Sequence, residues 1–186
     1  MFRHRLLLEY DGAPFQGWQR QGELPTVQAV LEAAVRKAAG AAADVVAAGR
    51  TDAGVHAAGQ VAHVDLAREW QPERLAGALN FHLRLHPVAV LRAELAPLGF
   101  HARFSATERR YRYVILNRRA PPALAAGRAW HVPVPLNAER MHVAAQALVG
   151  RHDFTSFRSS ECQSASPVKT LGLIQVRRRG AAIEVR

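Results

Sequence analysis

The sequence predicts an α+β chain made of two β-α-β-β-α-β halves, the ferredoxin-like pattern, with the second half lacking its last helix and strand. Three observations predict it. Apolar runs and helical repeats alternate in that order through residues 1–99. The same order restarts in residues 100–186. After a final hairpin-like stretch, no further helix or strand follows.

Each element has its own signal. HRLLLEY (4–10) is continuously apolar, as a buried strand is, and Asp11-Gly12 closes it. GAPFQGWQRQGELP reads as loop. Val27, Val30, Leu31, Ala34, Val35 and Ala38 recur at helical spacing, with Thr26 as N-cap and Gly40 as the stop. DVVAAG and GQVAHVDL are two short strands, QPERLAGALN is a helix with Pro72 in its first turn, and HPVAVLRAEL is a strand. In the second half RRYRYVILN (109–117) alternates, placing Tyr111 and Tyr113 on one face and Arg110 and Arg112 on the other. PPALAAG is loop. Asn137 caps a helix with Met141, Ala144, Ala145, Leu148 and Val149 inward and Gly150 at its end. TLGLIQVRRR and AAIEVR form a hairpin around Gly180. A missing helix and strand there predicts an unpaired sheet edge.

Composition narrows the function classes. Hydrophobic residues make up 49% of the 186, enough for a sizeable core and against disorder. No apolar run approaches the roughly 18 residues of a membrane span, and MFRHRLLLEYDG lacks a secretory pattern, so no membrane partner is expected. The one cysteine, Cys162, forms no internal disulfide, which fits a reducing cytoplasm. Residues 1–99 carry 10 basic and 10 acidic side chains, and residues 100–186 carry 15 and 5. Arginine supplies 23 of the 25 basic residues. An arginine-rich, one-sided field suits a phosphate backbone, because the guanidinium fork binds phosphate in bidentate fashion. There is no Walker loop, no G-x-G-x-x-G and no Cys/His cluster, so neither a cofactor nor a metal is expected.

AAGRTDAGVHAAGQVAH (47–63) sets one carboxylate, Asp52, between Arg50 and a turn-forming Ala-Gly, with His56 following. Asp before Ala-Gly is a turn device in many proteins. It is also a placement for a reactive carboxylate on a strand connection.

Four stretches carry a resemblance: EYDGAPFQGWQRQ (9–21), GRTDAGVHA (49–57), FHARFSATERRYRY (100–113) and GRHDFTSFRSSECQS (150–164). In this order they resemble the bacterial anticodon-arm tRNA pseudouridine synthase A family. The resemblance implies the pseudouridine synthase fold and a cofactor-free isomerisation of uridine around positions 38–40 of tRNA. It also implies a cytoplasmic homodimer. Asp52 is then the catalytic carboxylate, Arg50 the side chain that enters the stack when the base flips, and Tyr111 the ring that packs on the target base. Phe100, His101, Ala102, Arg103 and Phe104 correspond to an RNA-contacting stretch, with Arg103 its charge. Arg68, Arg110 and Glu161, Cys162, Gln163 and Ser164 lie at or near further RNA contacts, and Tyr113 is expected to support the core. His56 is expected to be a hydrogen-bonded neighbour of Asp52. In that family the cation that pairs with the aspartate lies on a helix after the strand ending here in IEVR, so Asp52 is expected to lack that partner. Another reading keeps the same sheet pattern and basic rim but no chemistry: an RRM-like RNA-binding module. It leaves the GRTDAGVH turn unexplained.

Overall fold

The computed structural model describes residues 1–158 and 166–186. The chain forms two compact units, Met1–Glu108 and Arg109–Arg186. The expected division at residue 99 moves to 108, because residues 97–105 are bonded to the first sheet through Arg3 and His63. The charge asymmetry survives the move: the first unit holds 11 basic and 11 acidic residues, the second 14 and 4.

The first unit runs β1 (Phe2–Tyr10), α1 (Val27–Ala39), β2 (Val45–Ala47), β3 (Ala57–Leu66), α2 (Pro72–Leu83) and β4 (Val88–Ala96). Its sheet has the order β2-β3-β1-β4, with every neighbouring pair antiparallel. Alternation in β1 puts His4, Leu6, Leu8 and Tyr10 on the buried face and Arg3, Arg5, Leu7 and Glu9 on the other. Leu31, Ala34 and Val35 of α1 and Leu75, Leu79 and Leu83 of α2 complete the core. Each fully buried leucine contributes about 1.5–3 kcal/mol relative to exposure.

Local chemistry ends the helices. The Thr26 hydroxyl accepts from the Ala29 N–H at 3.3 Å, and Gly40 closes α1 at φ 76°, a left-handed value that favours glycine. Pro72 opens α2, where its missing N–H costs nothing. Glu32, buried on α1, accepts from the Val45 N–H at 3.2 Å and pairs with Arg20 at 3.1 Å. It thereby ties helix, edge strand and the 11–20 loop together.

The second unit runs β5 (Tyr113–Leu116), β6 (Trp130–His131), α3 (Ala138–Ala145), a 3-10 turn (Gln146–Leu148), β7 (Gly150–Asp153), a second 3-10 turn (Thr155–Phe157), β8 (Val168–Leu171), β9 (Val176–Arg179) and β10 (Ala182–Val185). One sheet has the order β6-β5-β10-β9, and β7 and β8 form a separate antiparallel pair. Ile115, Val176 and Ile183 are its buried apolar centre, packed by Met141 and Ala145 of α3. Asn117 ties the strands to the following segment: its Nδ2 donates to the carbonyls of Val132 and Val134 at 2.9 and 2.7 Å. Its Oδ1 accepts from Arg178, 2.7 Å away, whose same nitrogen also reaches the Leu136 carbonyl at 2.7 Å.

Several expectations are corrected here. The strand at 109–117 begins only at Tyr113, so Tyr111 precedes it. Tyr113 shares the face of Ile115 but is 68% exposed, because the cluster around α3 does not extend to it. The expected helix ends at Ala145 and tightens into a 3-10 turn, leaving Val149 exposed. The run TLGLIQVRRR is two strands, broken at 172–175, with β8 pairing β7 and β9 pairing β10. AAIEVR is β10, an inner strand between β5 and β9; β9 pairs with β10 alone and forms one edge of the sheet, and β6 forms the other.

Candidate active site

The turn that carries Asp52 joins β2 to β3. Its Val55 N–H donates to the Asp52 carbonyl at 3.1 Å, with Gly54 at φ 77° as the third residue of the turn. That left-handed third position is the glycine signature of a type II turn. The turn is held from the other side by residues 10–18. The Trp18 N–H donates to the Thr51 carbonyl at 2.9 Å, and the Gly54 N–H to the Phe15 carbonyl at 3.2 Å. The Tyr10 and Thr51 hydroxyls lie 2.8 Å apart. Phe15 and Trp18 are buried beneath, so the loop is anchored in the core.

Two glycines permit this approach. A Cβ on Gly12 would stand 2.1 Å from the Val55 carbonyl oxygen, and one on Gly17 would stand 2.6 Å from that of Thr51. Gly17 also has φ 88°. His56 sits behind the turn with Nδ1 at 3.1 Å from the Gly12 N–H and 2.9 Å from an Asp11 carboxylate oxygen. One nitrogen cannot serve both at once: its lone pair accepts from Gly12, or its proton is given to Asp11. Either bond fixes β1's exit against the turn. His56 is hydrogen-bonded as expected of it, but its partners are Gly12 and Asp11 on the facing segment.

Asp52 itself is exposed, and among the described residues its carboxylate makes no hydrogen bond or ion pair. The main chain around it is held by hydrogen bonds while the carboxylate stays open, an arrangement that suits a group acting on an incoming ligand. Arg50, also exposed, lies on the same connection. Among the described residues no group of three or more His, Cys, Asp or Glu side chains is placed to hold a metal.

The remaining sequence-chosen residues are spread over both units. Phe100, His101, Arg103 and Phe104 lie on the segment after β4; Arg103 and the Phe104 ring are exposed, with the guanidinium 5.8 Å from that ring's centre. Ala102 differs from its expected role. It is 2% exposed, and its N–H donates to His63 Nδ1 at 3.2 Å, so it anchors the segment instead of meeting a ligand. Arg68 is exposed after β3, its guanidinium 4.5 Å over the Trp70 ring. Tyr111, 62% exposed, and Arg110 belong to the second unit. Glu161, Cys162, Gln163 and Ser164 lie outside the described residues. Sequence reading missed Tyr10, Asp11, Gly12 and Gly17 as partners of the turn. Asp11-Gly12 was visible only as a strand stop.

Comparison with known proteins decides the family. The family model described as tRNA pseudouridine synthase matches residues 7–105 and 144–186. The chain is 57% identical over 185 residues to tRNA pseudouridine synthase A of Caulobacter vibrioides (strain NA1000 / CB15N), covering 100% of this chain and 75% of that protein. It is 56% identical over 185 residues to tRNA pseudouridine synthase A of Rhodopseudomonas palustris (strain HaA2), covering 100% and 76%. This chain belongs to the tRNA pseudouridine synthase family. The family match includes the 11–20 loop, the Asp52 turn and the 97–105 segment.

Proposed function

We infer that this chain is an isomerase that converts uridine to pseudouridine in tRNA, with Asp52 as its catalytic carboxylate. Membership of the tRNA pseudouridine synthase family supports the reaction. The observation that carries the residue assignment is the turn: main-chain bonds from Phe15 and Trp18 hold it while the carboxylate stays exposed.

The reaction needs little beyond such a group. The N1–C1′ bond breaks, the uracil turns, and C5 bonds to C1′. The C5 proton leaves and N1 ends protonated, so atoms balance without a cofactor. Breaking the glycosidic bond develops positive charge on the sugar, as in glycoside cleavage. A carboxylate there attacks the sugar or the base, or stabilises the charge. Arg50 enters the stack as the uridine flips, offsetting an unstacking cost of a few kcal/mol. Tyr111 stacks on the target base. The basic second unit, with 14 basic and 4 acidic residues, draws in the phosphate backbone. We place the target among positions 38–40 of the anticodon arm, read each unit as a ferredoxin-like repeat, and expect a cytoplasmic homodimer. No helix among the described residues is long and apolar enough to cross a membrane.

The test is pseudouridine mapping on tRNA after incubation with the chain. Pseudouridine confined to positions 38–40 is expected. Tight tRNA binding with no pseudouridine at any position sinks the catalytic reading and leaves the RRM-like module. Tyr111→Phe should retain more activity than Tyr111→Ala; equal losses would assign the role to the hydroxyl instead of the ring.

A further inference from the structure

The segment 97–105 covers one end of the sheet face opposite the helices, and two side chains beneath it hold it there. Arg3 is the first. Its Nε and Nη2 make a fork on the Asp65 carboxylate at 2.7 and 2.6 Å. Its Nη1 donates to the carbonyls of Leu98 and Phe100, each at 2.6 Å. The Arg3 side chain is only 16% exposed, so its donors are spent inside the protein. Only a guanidinium has enough donors, in a fixed plane, for this set. His63 is the second. It is 4% exposed and accepts the Ala102 N–H.

From His63 a series of rings leads outward. His63 lies edge-on to His101 at 4.9 Å, and His101 stacks against Phe104 at 4.4 Å with 34° between planes. His101 Nδ1 accepts the Arg103 N–H at 3.2 Å, and Ser105 Oγ accepts the His101 N–H at 3.0 Å. The series ends on a Phe104 ring that is 77% exposed. An exposed ring held in one pose beside a guanidinium is a stacking surface for an unpaired nucleobase.

We propose that Arg3, Asp65 and His63 are positioning residues for RNA binding, fixing the backbone of residues 97–105 and through it the pose of Phe104. The proposal rests on reading that segment as an RNA contact. His63 is buried, and the Arg3 and Asp65 side chains are taken up by their bonds to each other and to the segment's carbonyls, so the three act through the segment's main chain.

The experiment measures tRNA affinity across a salt series, together with kcat and KM, for the full chain carrying Arg3→Lys, Asp65→Asn, Phe104→Ala, Arg103→Ala or the Arg3→Lys/Phe104→Ala pair. Arg3→Lys keeps the charge but loses the fork and carbonyl bonds. It should weaken tRNA binding about tenfold, on the order of one lost base stack, with the loss falling mainly on KM. Asp65→Asn should act in the same direction. The salt slope should stay unchanged, because Arg3 neutralises no phosphate. The double variant should bind no more weakly than Phe104→Ala alone, and the Ala102 amide should exchange faster in Arg3→Lys while the Leu6 amide stays protected. Additive losses, or a salt slope reduced by about one, would overturn the proposal. Loss in Phe104→Ala with none in Arg3→Lys or Asp65→Asn overturns the positioning role alone. If Phe104→Ala and Arg103→Ala both bind like the parent, the RNA reading of the segment fails and the proposal falls with it. Should Arg3→Lys unfold, Asp65→Asn decides by the same criteria.

Discussion

The two units build their four-stranded sheets on one plan with very different means. The first sheet runs β2-β3-β1-β4; the second, read in the same direction, runs β9-β10-β5-β6. In each, the unit's first strand lies inside, next to the last-formed strand of an antiparallel pair. The fourth place separates them. In the first unit it holds the nine-residue β4, antiparallel to β1 and delivered by α2. In the second it holds the two-residue β6, parallel to β5. Nineteen buried apolar residues support the first sheet and, among the described residues, three support the second. Where the first unit has leucines, the second has polar ties such as Asn117 and Arg178. The lesson is a division of labour. The neutral, well-packed unit can hold the Asp52 turn at close backbone approach, while the other spends its surface on charge.

Breaking the packing should therefore give the largest contrast. Leu31→Ala in the first core should cost toward the upper end of about 2–5 kcal/mol, whereas Ile183→Ala in the thinner second core should fall toward the lower end; chemical denaturation measures both. Amides of β1 and β3 should exchange more slowly than those of β5 and β10. Equal protection would remove the contrast. Next in size, Gly12→Ala drives a Cβ against the Val55 carbonyl and should cost about 1–3 kcal/mol or more. Its activity should fall further than its stability, because the displaced segment carries Asp52. Gly22→Ala, at a positive φ but with open space around it, should cost about 1 kcal/mol or less and spare activity.

Charge gives a smaller effect. tRNA binding should weaken steeply with salt, and reversing Arg110 should flatten that dependence by about one phosphate contact or more. Reversing Arg36 on α1 should change it less; a flat salt profile in the parent chain would contradict the account of the basic unit. The smallest effect expected is in pH. Burial first, then Arg3 and His101, hold His63 below its ordinary value, with Asp65 opposing. A depressed histidine favours the fold above its unfolded pKa, about 6.5, and that contribution is lost as pH falls below it. Asp65, held low chiefly by its hydrogen bond to Arg3, keeps its contribution until far more acid pH. Arg5, paired with His63 across the strands, and Glu94, paired with Arg5, also face this region. Melting temperature should fall between pH 7.5 and 5.5 (roughly one unit either side of the free histidine value), and less so in His63→Asn.

The first unit was largely legible in the sequence because its elements are long and periodic. Leu75, Leu79 and Leu83 mark a helix face by themselves, and Thr26 and Gly40 mark its neighbour's ends. The second unit was less so. Its strands are two to four residues long, and the β5–β6 pairing joins Ile115 to Trp130, which no local pattern announces. Asp52, Arg50 and His56 were visible because polar residues interrupt an apolar frame. The loop that holds them was not. Gly12 meets Val55 and Trp18 meets Thr51 across long stretches of chain, so the need for glycine there arises from tertiary contact. Arg3, Asp65 and His63 were hidden by ordinary strand alternation, which assigns them an outward face until residues 97–105 cover it.

The central claim is that the carboxylate of Asp52 does the chemistry and the rest of the unit presents it. Single-turnover pseudouridine formation on tRNA, measured for Asp52→Asn beside tRNA affinity, tests it directly. Asn keeps the size of the side chain and the exposed turn but removes the charge. The account predicts tRNA binding within about threefold of the parent, since a lone exposed carboxylate adds little to RNA affinity, and no measurable pseudouridine. Substantial pseudouridine formation by Asp52→Asn would contradict it.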